Sequence, residues 1–149
     1  MSESFLKLDQ QICFSFYRLS NALVRAYRPL LIELDLTYPQ YLVMMVLWNR
    51  EGCQVNELGE ELNLDSGTLT PLLKRLESKG LVERRVSALD ERSKQVFLTA
   101  KGHSIRQDAE CIPMEIYNKM QLSEKEWFQL KQSCDDLFQN IQLLEKQKV

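Results

Sequence analysis

The stretch LDSGTLTPLLKRLESKGLVERR, Leu64 to Arg85, decides the fold of this chain. Asp65 or Ser66 is expected to cap a helix that begins there, because short side chains with an oxygen atom satisfy the free N–H groups of a first turn. Gly80 ends this helix. Its apolar face consists of leucines at helical spacing: Leu69, Leu72, Leu73 and Leu76. The residues LVERR that follow alternate between apolar and charged, which predicts a strand.

The segments on either side complete a winged helix-turn-helix. QVNELGEELNL predicts a short helix from Val55 to Leu62, and the residues Asn63 to Asp65 form a tight turn before the next helix. KQVFLT alternates like LVERRVS, so ALDERS is expected to join two strands into a hairpin. Helix, turn, helix and hairpin over about 38–100 predict a DNA-binding lobe whose second helix enters the major groove.

Long amphipathic helices flank this lobe. Apolar residues at helical spacing predict a first helix from about Leu6 to Glu33, which starts near Asp9 at the latest. Thr37 caps a second, largely apolar helix, which tolerates Pro39 in its first turn.

The remaining helices follow the hairpin. Thr99 opens a fifth helix, and Pro113 bends it before it continues to about Met120. Ser123 and Glu126 form a capping box for the last helix. The flanking helices, at about 6–35 and 100–147, exceed what the lobe needs for its own core, so they predict dimerisation helices and a symmetric homodimer. The predicted fold class is mainly α with a small β wing, in a single domain over 1–149.

Composition excludes several classes of protein. The chain has 149 residues, of which 44% are hydrophobic and 27% charged, as is typical of a globular domain. It has no run of about 18 apolar residues and no secretory signal, so we expect a cytoplasmic protein without a membrane partner. Cysteines stand at 13, 53, 111 and 134 without a CxxC pair, and His103 is the only histidine. We therefore expect no metal, no cofactor and free thiols.

The charge is distributed unevenly along the chain. The net charge is −2, yet Lys74 to Arg106 contains nine Lys/Arg against four Asp/Glu, a local excess of +5. This basic segment coincides with the two elements that a winged helix presses against double-stranded DNA. The predicted DNA-binding residues are Ser66, Thr68, Thr70, Pro71, Lys74, Arg75, Arg84, Arg85, Asp90 and Arg92. Arg92 at the wing tip suits a narrow minor groove, and Asp90 orients its guanidinium.

Several motifs resemble a known family. LDSGTLTPLLKRLESKGLVERR, DERSKQVFLTAKG and LTYPQYLVMMVLW are similar to the MarR family of dimeric winged-helix transcriptional regulators. LDQQICFSFY, AYRPLL and LTYPQYL resemble its OhrR branch, repressors that sense organic hydroperoxides. The resemblance implies that Cys13 is a redox-sensing thiolate, hydrogen-bonded to Tyr27 and Tyr38 of the partner subunit. It also implies a regulator rather than an enzyme, which binds a pseudo-palindromic operator and releases it when Cys13 is oxidised.

Helix geometry is consistent with a site shared between two subunits. Tyr17 lies four residues after Cys13, on the same helical face, and is a further hydrogen-bond donor for the thiolate. Tyr27 follows Cys13 by fourteen residues, which is about 21 Å along a helix, so it cannot touch Cys13 of its own helix. If the first helices of two subunits run antiparallel, Tyr27 of one meets Cys13 of the other, and Tyr38 can do likewise.

The fate of oxidised Cys13 has several alternatives. An organic hydroperoxide oxidises the thiol to sulfenic acid. Cys111 of the partner subunit is the candidate resolving cysteine, although Asn118 or Leu122 stands where the family has its second cysteine. Otherwise the sulfenate persists, or a low-molecular-weight thiol caps it. The predicted apolar entry pocket is lined by Phe14, Phe16, Met44 and Met45.

Three other functions compete with this hypothesis. The nearest is a MarR-type repressor released by a small aromatic ligand without redox chemistry. A thiol peroxidase that uses Cys13 is disfavoured, because Cys13 lies too far inside its predicted helix and no catalytic His, Asp or Glu accompanies it. A purely structural helical module leaves the basic wing unexplained.

Overall fold

The computed structural model describes residues 6–86 and 94–146, with side chains up to 144. Its elements in chain order are α1 (Ile12–Ile32), α2 (Tyr38–Asn49), β1 (Cys53–Gln54), α3 (Val55–Leu62), α4 (Ser66–Ser78), β2 (Val82–Val86), β3 (Lys94–Leu98), α5 (Ala100–Ala109), α6 (Ile112–Met120) and α7 (Glu124–Lys146). The backbone contacts divide the chain into two units, Met1–Ile112 and Pro113–Val149. The single domain over 1–149 stays a prediction. Among the described helices, none is long and apolar enough to cross a membrane.

The helix-turn-helix consists of α3 and α4, as predicted. Asn63 has a left-handed backbone (φ 51°) and ends α3. Asp65 caps α4, because its carboxylate accepts a hydrogen bond from the Thr68 N–H at 2.8 Å. Ser66 is the first residue inside the helix and is not the cap, since a capping residue needs a backbone outside the helical region. The four leucines of α4 are all buried.

The wing is an antiparallel sheet in the order β1-β3-β2. The predicted hairpin is confirmed, with Val82 opposite Leu98 and Val86 opposite Lys94. β1 was not predicted, because a strand of two residues is too short to show alternation. It pairs with the other edge of β3, where Cys53 lies opposite Val96. The predicted ALDERS connection lies outside the described residues.

α1 begins later than predicted. A single 3₁₀ turn at Leu8–Gln10 comes first, and Gln11 then has an extended backbone (ψ 112°), so the α-helix begins at Ile12 rather than near Asp9. No side chain caps this start, which is why apolar spacing alone did not reveal it. Cys13 is consequently the second residue of α1.

A tight turn connects α1 to α2. Asp35 has a left-handed backbone (φ 51°), and its N–H donates to the Ile32 carbonyl at 3.0 Å. The Leu36 N–H donates to the Leu31 carbonyl at 2.9 Å. These two hydrogen bonds form a Schellman motif, which satisfies the last carbonyls of α1 and fixes where the chain turns into α2.

α2 runs through the core of the first unit. Thr37 caps it as predicted, because the Gln40 N–H donates to its hydroxyl at 3.4 Å and Gln40 Oε1 accepts from the Thr37 N–H at 3.0 Å. The Trp48 indole N–H donates to the Gly102 carbonyl at 2.9 Å and so joins α2 to α5. A Cβ atom at Gly102 would lie 2.1 Å from the Leu81 carbonyl oxygen, so the approach of α5 to the start of β2 requires glycine.

The predicted bent fifth helix is in fact two helices. α5, which Thr99 caps as predicted, ends at Ala109, and α6 begins after a short break. Pro113 has no N–H to donate to the Ala109 carbonyl, so the helix ends before the proline instead of bending at it. The capping box before α7 is confirmed, because the Ser123 N–H donates to Glu126 Oε2 at 2.9 Å.

Candidate nucleic-acid interface and thiol site

The outer face of α4 carries small polar side chains followed by basic ones. Because an α-helix repeats every 3.6 residues, Ser66, Thr70 and Lys74 form one row along this face. The row lies opposite the buried leucines, which pack into the lobe. The exposed residues of this face include all those that we predicted on α4 as DNA contacts: Ser66, Thr68, Thr70, Pro71, Lys74 and Arg75.

Thr68 has a structural role in addition to its exposure. Its hydroxyl donates to Asp65 Oδ2 at 3.3 Å, so the side chain is held at the first turn of α4. The hydroxyls of Ser66 and Thr70 make no hydrogen bond to any other residue of the described ranges. Ser66 and Thr70 are therefore better placed than Thr68 to bind an external group.

Arg84 forms an ion pair inside the lobe. Its Nη2 lies 2.6 Å from Glu77 Oε2, its backbone N–H donates to Glu77 Oε1 at 3.1 Å, and the two side chains are only 22% and 28% exposed. The hydrogen bond from Arg84 lowers the pKa of the Glu77 carboxyl, and the same bond raises the pKa of Arg84. Arg84 therefore joins β2 to α4, and its predicted contact with DNA stays a prediction that competes with this ion pair.

Arg85 lies on the open side of the wing. Its guanidinium carbon is 4.6 Å from the centre of the Phe97 ring, and Glu83 pairs with its Nη2. A cation–π contact uses the face of a guanidinium, so the N–H groups that do not pair with Glu83 can still donate to a phosphate. The predicted wing-tip pair, Asp90 and Arg92, lies outside the described residues, so its role also stays a prediction.

Cys13 is exposed in the first turn of α1. The first N–H groups of a helix have no partner within the helix and favour negative charge nearby. From the sequence, a thiol peroxidase was disfavoured partly because Cys13 was predicted to lie deep inside its helix. The structure shows that this prediction is wrong, because Cys13 is the second residue of α1. Tyr17, one turn further along, is exposed as well. In the part of the chain that the structure describes, no group of His, Cys, Asp and Glu is placed to hold a metal ion.

Tyr27, Tyr38 and Tyr41 form an aromatic cluster. The ring centre of Tyr27 lies 4.7 Å from that of Tyr38 and 6.0 Å from that of Tyr41. Burial raises the pKa of Tyr27 and of Tyr38, and it raises the pKa of Tyr41 to about 12. All three phenols therefore stay protonated near neutral pH and keep an O–H to donate. Sequence reasoning missed Tyr41, although its position three residues after Tyr38 on one helix was a signal.

The structure brings Tyr27 and Tyr38 together, but not with Cys13 of the same chain. Cys13 and Tyr27 lie on one continuous helix, so about 21 Å separates them along its axis. Tyr38 contacts Tyr27 and is therefore distant from Cys13 as well. A contact between the thiol and either phenol requires a second copy of the chain.

The other predicted residues of the thiol site are placed separately. Cys111 was predicted to lie within the fifth helix, but the structure places it in the break between α5 and α6. Its exposed thiol donates to the Asp108 carbonyl at 3.6 Å. Cys53 is buried in β1, and burial raises the pKa of its thiol. Met44 is fully buried in the core, so it does not line a surface pocket, whereas Met45 is partly exposed.

Comparisons with known proteins point to one family. The MarR family model matches residues 36–94. The organic hydroperoxide resistance transcriptional regulator of Bacillus subtilis is 42% identical over 91% of this chain and 92% of its own length. The HTH-type transcriptional regulator TtmR of Methylorubrum extorquens is 54% identical over 71% of this chain, and the matched segment spans 54% of TtmR.

Solved structures agree with these relatives. Reduced AbfR bound to DNA has a TM-score of 0.79 and 32% identity to this chain, over 97% of this chain and 99% of AbfR. Overoxidised AbfR bound to DNA has a TM-score of 0.78 with the same identity and coverage.

A helix-turn-helix with a β wing, flanked by long helices, defines a class of transcriptional regulators rather than enzymes. Within that class, the chain belongs to the MarR family.

Proposed function

We propose that the protein is a homodimeric, DNA-binding transcriptional repressor that senses organic hydroperoxides through Cys13. In the reduced state it binds a pseudo-palindromic operator, and oxidation of Cys13 releases the operator. One observation carries the redox part of the proposal. An exposed thiol in the first turn of α1 accompanies two protonated phenols, Tyr27 and Tyr38, which a second copy of the chain would bring to it.

The DNA-binding part rests on the outer face of α4. The short side chains of Ser66 and Thr70 let the helix approach base edges, and Lys74 and Arg75 reach toward phosphate or guanine. In a symmetric dimer, two such helices enter successive major grooves about 34 Å apart, which favours a pseudo-palindromic site. AbfR, which is similar to this chain over nearly its full length, is bound to DNA in its reduced and its overoxidised structures.

The sensing part rests on α1 and the tyrosine cluster. If two α1 helices cross antiparallel in the dimer, Cys13 of each subunit meets Tyr27 and Tyr38 of the other. Phenol O–H groups that donate to a thiolate form charge-assisted hydrogen bonds, which stabilise the reactive form of the sulfur. Tyr17 can donate from the same helix, because it lies on the face of Cys13. The B. subtilis relative is named for organic hydroperoxide resistance, which favours this class of oxidant.

The oxidation begins with the formation of a sulfenic acid on Cys13. The Cys13 thiolate attacks one peroxide oxygen, so that an S–O bond forms, the O–O bond breaks, and the alkoxide takes up a proton and leaves as an alcohol. The sulfenate then persists, or a second thiol attacks the sulfenic sulfur, which forms a disulfide and releases water. This second thiol is Cys111 of the partner subunit or a low-molecular-weight thiol. Each of these oxidised products replaces the thiolate that Tyr27 and Tyr38 bind, and so changes the contact between the subunits.

Operator binding and covalent state should be measured on the same sample. AbfR has been solved on DNA in an overoxidised form, so oxidation does not by itself imply release. A fluorescent operator, selected from random duplexes, is titrated with reduced wild type, Cys13→Ser and Cys111→Ser, before and after one equivalent of cumene hydroperoxide. Intact mass then identifies sulfenate, mixed disulfide or crosslinked dimer.

We expect wild type to lose at least about tenfold in affinity, within the usual range of coupling between sites, and to recover with dithiothreitol. Cys13→Ser should keep full affinity, and Cys111→Ser should lack any crosslinked dimer. Release of both wild type and Cys13→Ser by hydroperoxide contradicts the proposal. Release by a small aromatic acid, with hydroperoxide inactive, would instead support the ligand-controlled repressor.

A further inference from the structure

Lys79 joins the end of α4 to the segment that carries Tyr38. Lys79 is the C-terminal cap of α4. Its ammonium donates to the backbone carbonyl of Asp35, to the Asp35 carboxylate at 3.1 Å and to Gln40 Oε1 at 3.3 Å. Asp35 ends the turn after α1, and Gln40 lies in the first turn of α2. One amine therefore connects α1, α2 and α4 at a single point, which we call the Lys79 junction (Asp35, Gln40 and Lys79).

The Lys79 junction holds the backbone before and after Tyr38. Gln40 is only 3% exposed, and its Oε1 accepts from the Thr37 N–H as well as from Lys79. Asp35 has a left-handed backbone (φ 51°), which the Schellman motif at the end of α1 accounts for, and its carbonyl and carboxylate oxygens both accept from Lys79. Tyr38 lies between these two residues in the chain, so its position depends on the same hydrogen bonds.

The same end of α4 is also attached to α5. The Lys101 ammonium donates to the Lys79 carbonyl at 2.9 Å, and the Thr99 hydroxyl donates to the Gly80 carbonyl at 2.6 Å. The C-terminal end of α4 is thus held from two sides, while its N-terminal end presents Ser66 and Thr70. A shift of the Asp35–Gln40 segment therefore displaces the C-terminal end of α4, and this changes the direction in which its N-terminal end points toward DNA.

We propose that Lys79 is a positioning residue that couples the oxidation state of Cys13 to the orientation of α4, an inference that rests on the function proposed above. In the reduced dimer, Tyr38 donates to the thiolate of the partner subunit, and the Lys79 junction holds α4 in the orientation that fits the operator. Oxidation removes that acceptor, so the segment of Tyr38 moves and the Lys79 junction carries the movement to α4. The coupling free energy is the difference between the operator-binding free energies of the oxidised and the reduced dimer, and the ratio of the two Kd values measures it.

The test measures the ratio of the operator Kd in the oxidised dimer to that in the reduced dimer. Lys79→Met keeps most of the side-chain length but removes the hydrogen-bond donors. We expect its Kd ratio to fall at least about threefold below that of wild type. Couplings between sites usually change an affinity by about 5–150-fold. Lys79→Arg retains donors and should keep most of the wild-type ratio. Arg50→Met is the matched control, because it breaks the ion pair of Arg50 with Glu61 at 2.9 Å, about 18 Å along α2 from Tyr38.

A second variant keeps the test informative if Lys79→Met is unstable. Asp35→Gly removes a side chain that is 81% exposed, and glycine suits the left-handed backbone, so this variant should fold and lower the ratio in the same direction. Unchanged ratios in Lys79→Met and Asp35→Gly, while hydroperoxide still releases wild type, overturn the role of Lys79 and leave the proposed function intact. An equal fall in Arg50→Met also overturns it. Failure of hydroperoxide to release wild type overturns the proposed function itself.

Discussion

Replacing Glu77 by glutamine tests the ion pair that joins α4 to the wing. Glutamine keeps the size of the side chain and still accepts from the Arg84 N–H, but it removes the charge that faces the guanidinium 2.6 Å away. A hydrogen bond to a charged group contributes about 1.5–3 kcal/mol, and one between neutral groups about 0.5–1.5 kcal/mol. Because Arg84 then stays shielded without a counter-charge, we expect Glu77→Gln to lower the free energy of unfolding by about 1–2 kcal/mol at neutral pH.

The loss should depend on pH, with a sign fixed by the shift at Glu77. Arg84 holds the pKa of the Glu77 carboxyl below its ordinary value of 4.5. The unfolded chain therefore binds this proton more tightly than the folded protein does. The stabilisation by the ion pair is fully present above the ordinary value and disappears as the pH falls through the lowered one. Wild type and Glu77→Gln should converge in stability at acidic pH.

Urea unfolding followed by circular dichroism measures both effects. All samples are kept at one protein concentration, because the proposed homodimer would make stability depend on concentration. Glu61→Gln is the control, since it removes the charge from an ion pair with Arg50 whose side chains are 56% and 49% exposed. That variant should lose no more than about 0.5 kcal/mol. A loss in Glu77→Gln no larger than in Glu61→Gln, or one that is the same at acidic and neutral pH, refutes the reasoning.

Two further predictions concern the fold and the DNA-binding face. Gly102→Ala places a Cβ atom 2.1 Å from the Leu81 carbonyl oxygen. This overpacking should lower the free energy of unfolding by about 1–3 kcal/mol or more in the same urea experiment. A variant as stable as wild type would show that the backbone moves aside at little cost. Lys74→Ala and Arg75→Ala should each reduce the slope of log K against log salt for operator binding by about 1, as measured by anisotropy at several KCl concentrations. Lys131→Ala, which alters an exposed pair with Asp135 on α7, should leave that slope unchanged; equal slopes in all variants would exclude phosphate contacts from α4.

Local signals predicted most of the fold. Thr37, Thr99 and Ser123 cap helices through residues three positions away, so the sequence alone placed these helix starts correctly. The start of α1 was wrong because Gln11 is extended without any capping side chain. The break before Pro113 was misread as a bend, because spacing does not show which carbonyl loses its hydrogen bond.

Contacts between different helices and strands account for most of what the sequence did not predict at the site. Arg84 was predicted as a DNA contact, yet its pairing with Glu77 depends on how β2 folds back against α4. The pattern gave no sign that Lys79 would bind Asp35 and Gln40, which precede it by 44 and 39 residues. Pattern and resemblance did indicate Tyr27, which the structure places beside Tyr38.

A mixed dimer tests the central claim most directly. One subunit carries Cys13→Ser with both tyrosines intact, and the other keeps Cys13 but carries Tyr27→Phe and Tyr38→Phe; two different affinity tags isolate the heterodimer. The rate of Cys13 oxidation by cumene hydroperoxide is followed by trapping the sulfenate and measuring intact mass. If the phenols act across the interface, the heterodimer reacts at the wild-type rate per thiol. The Tyr27→Phe/Tyr38→Phe homodimer should then react at least about tenfold more slowly, as expected for the loss of charge-assisted hydrogen bonds. A heterodimer as slow as that homodimer would contradict a thiol site shared between subunits.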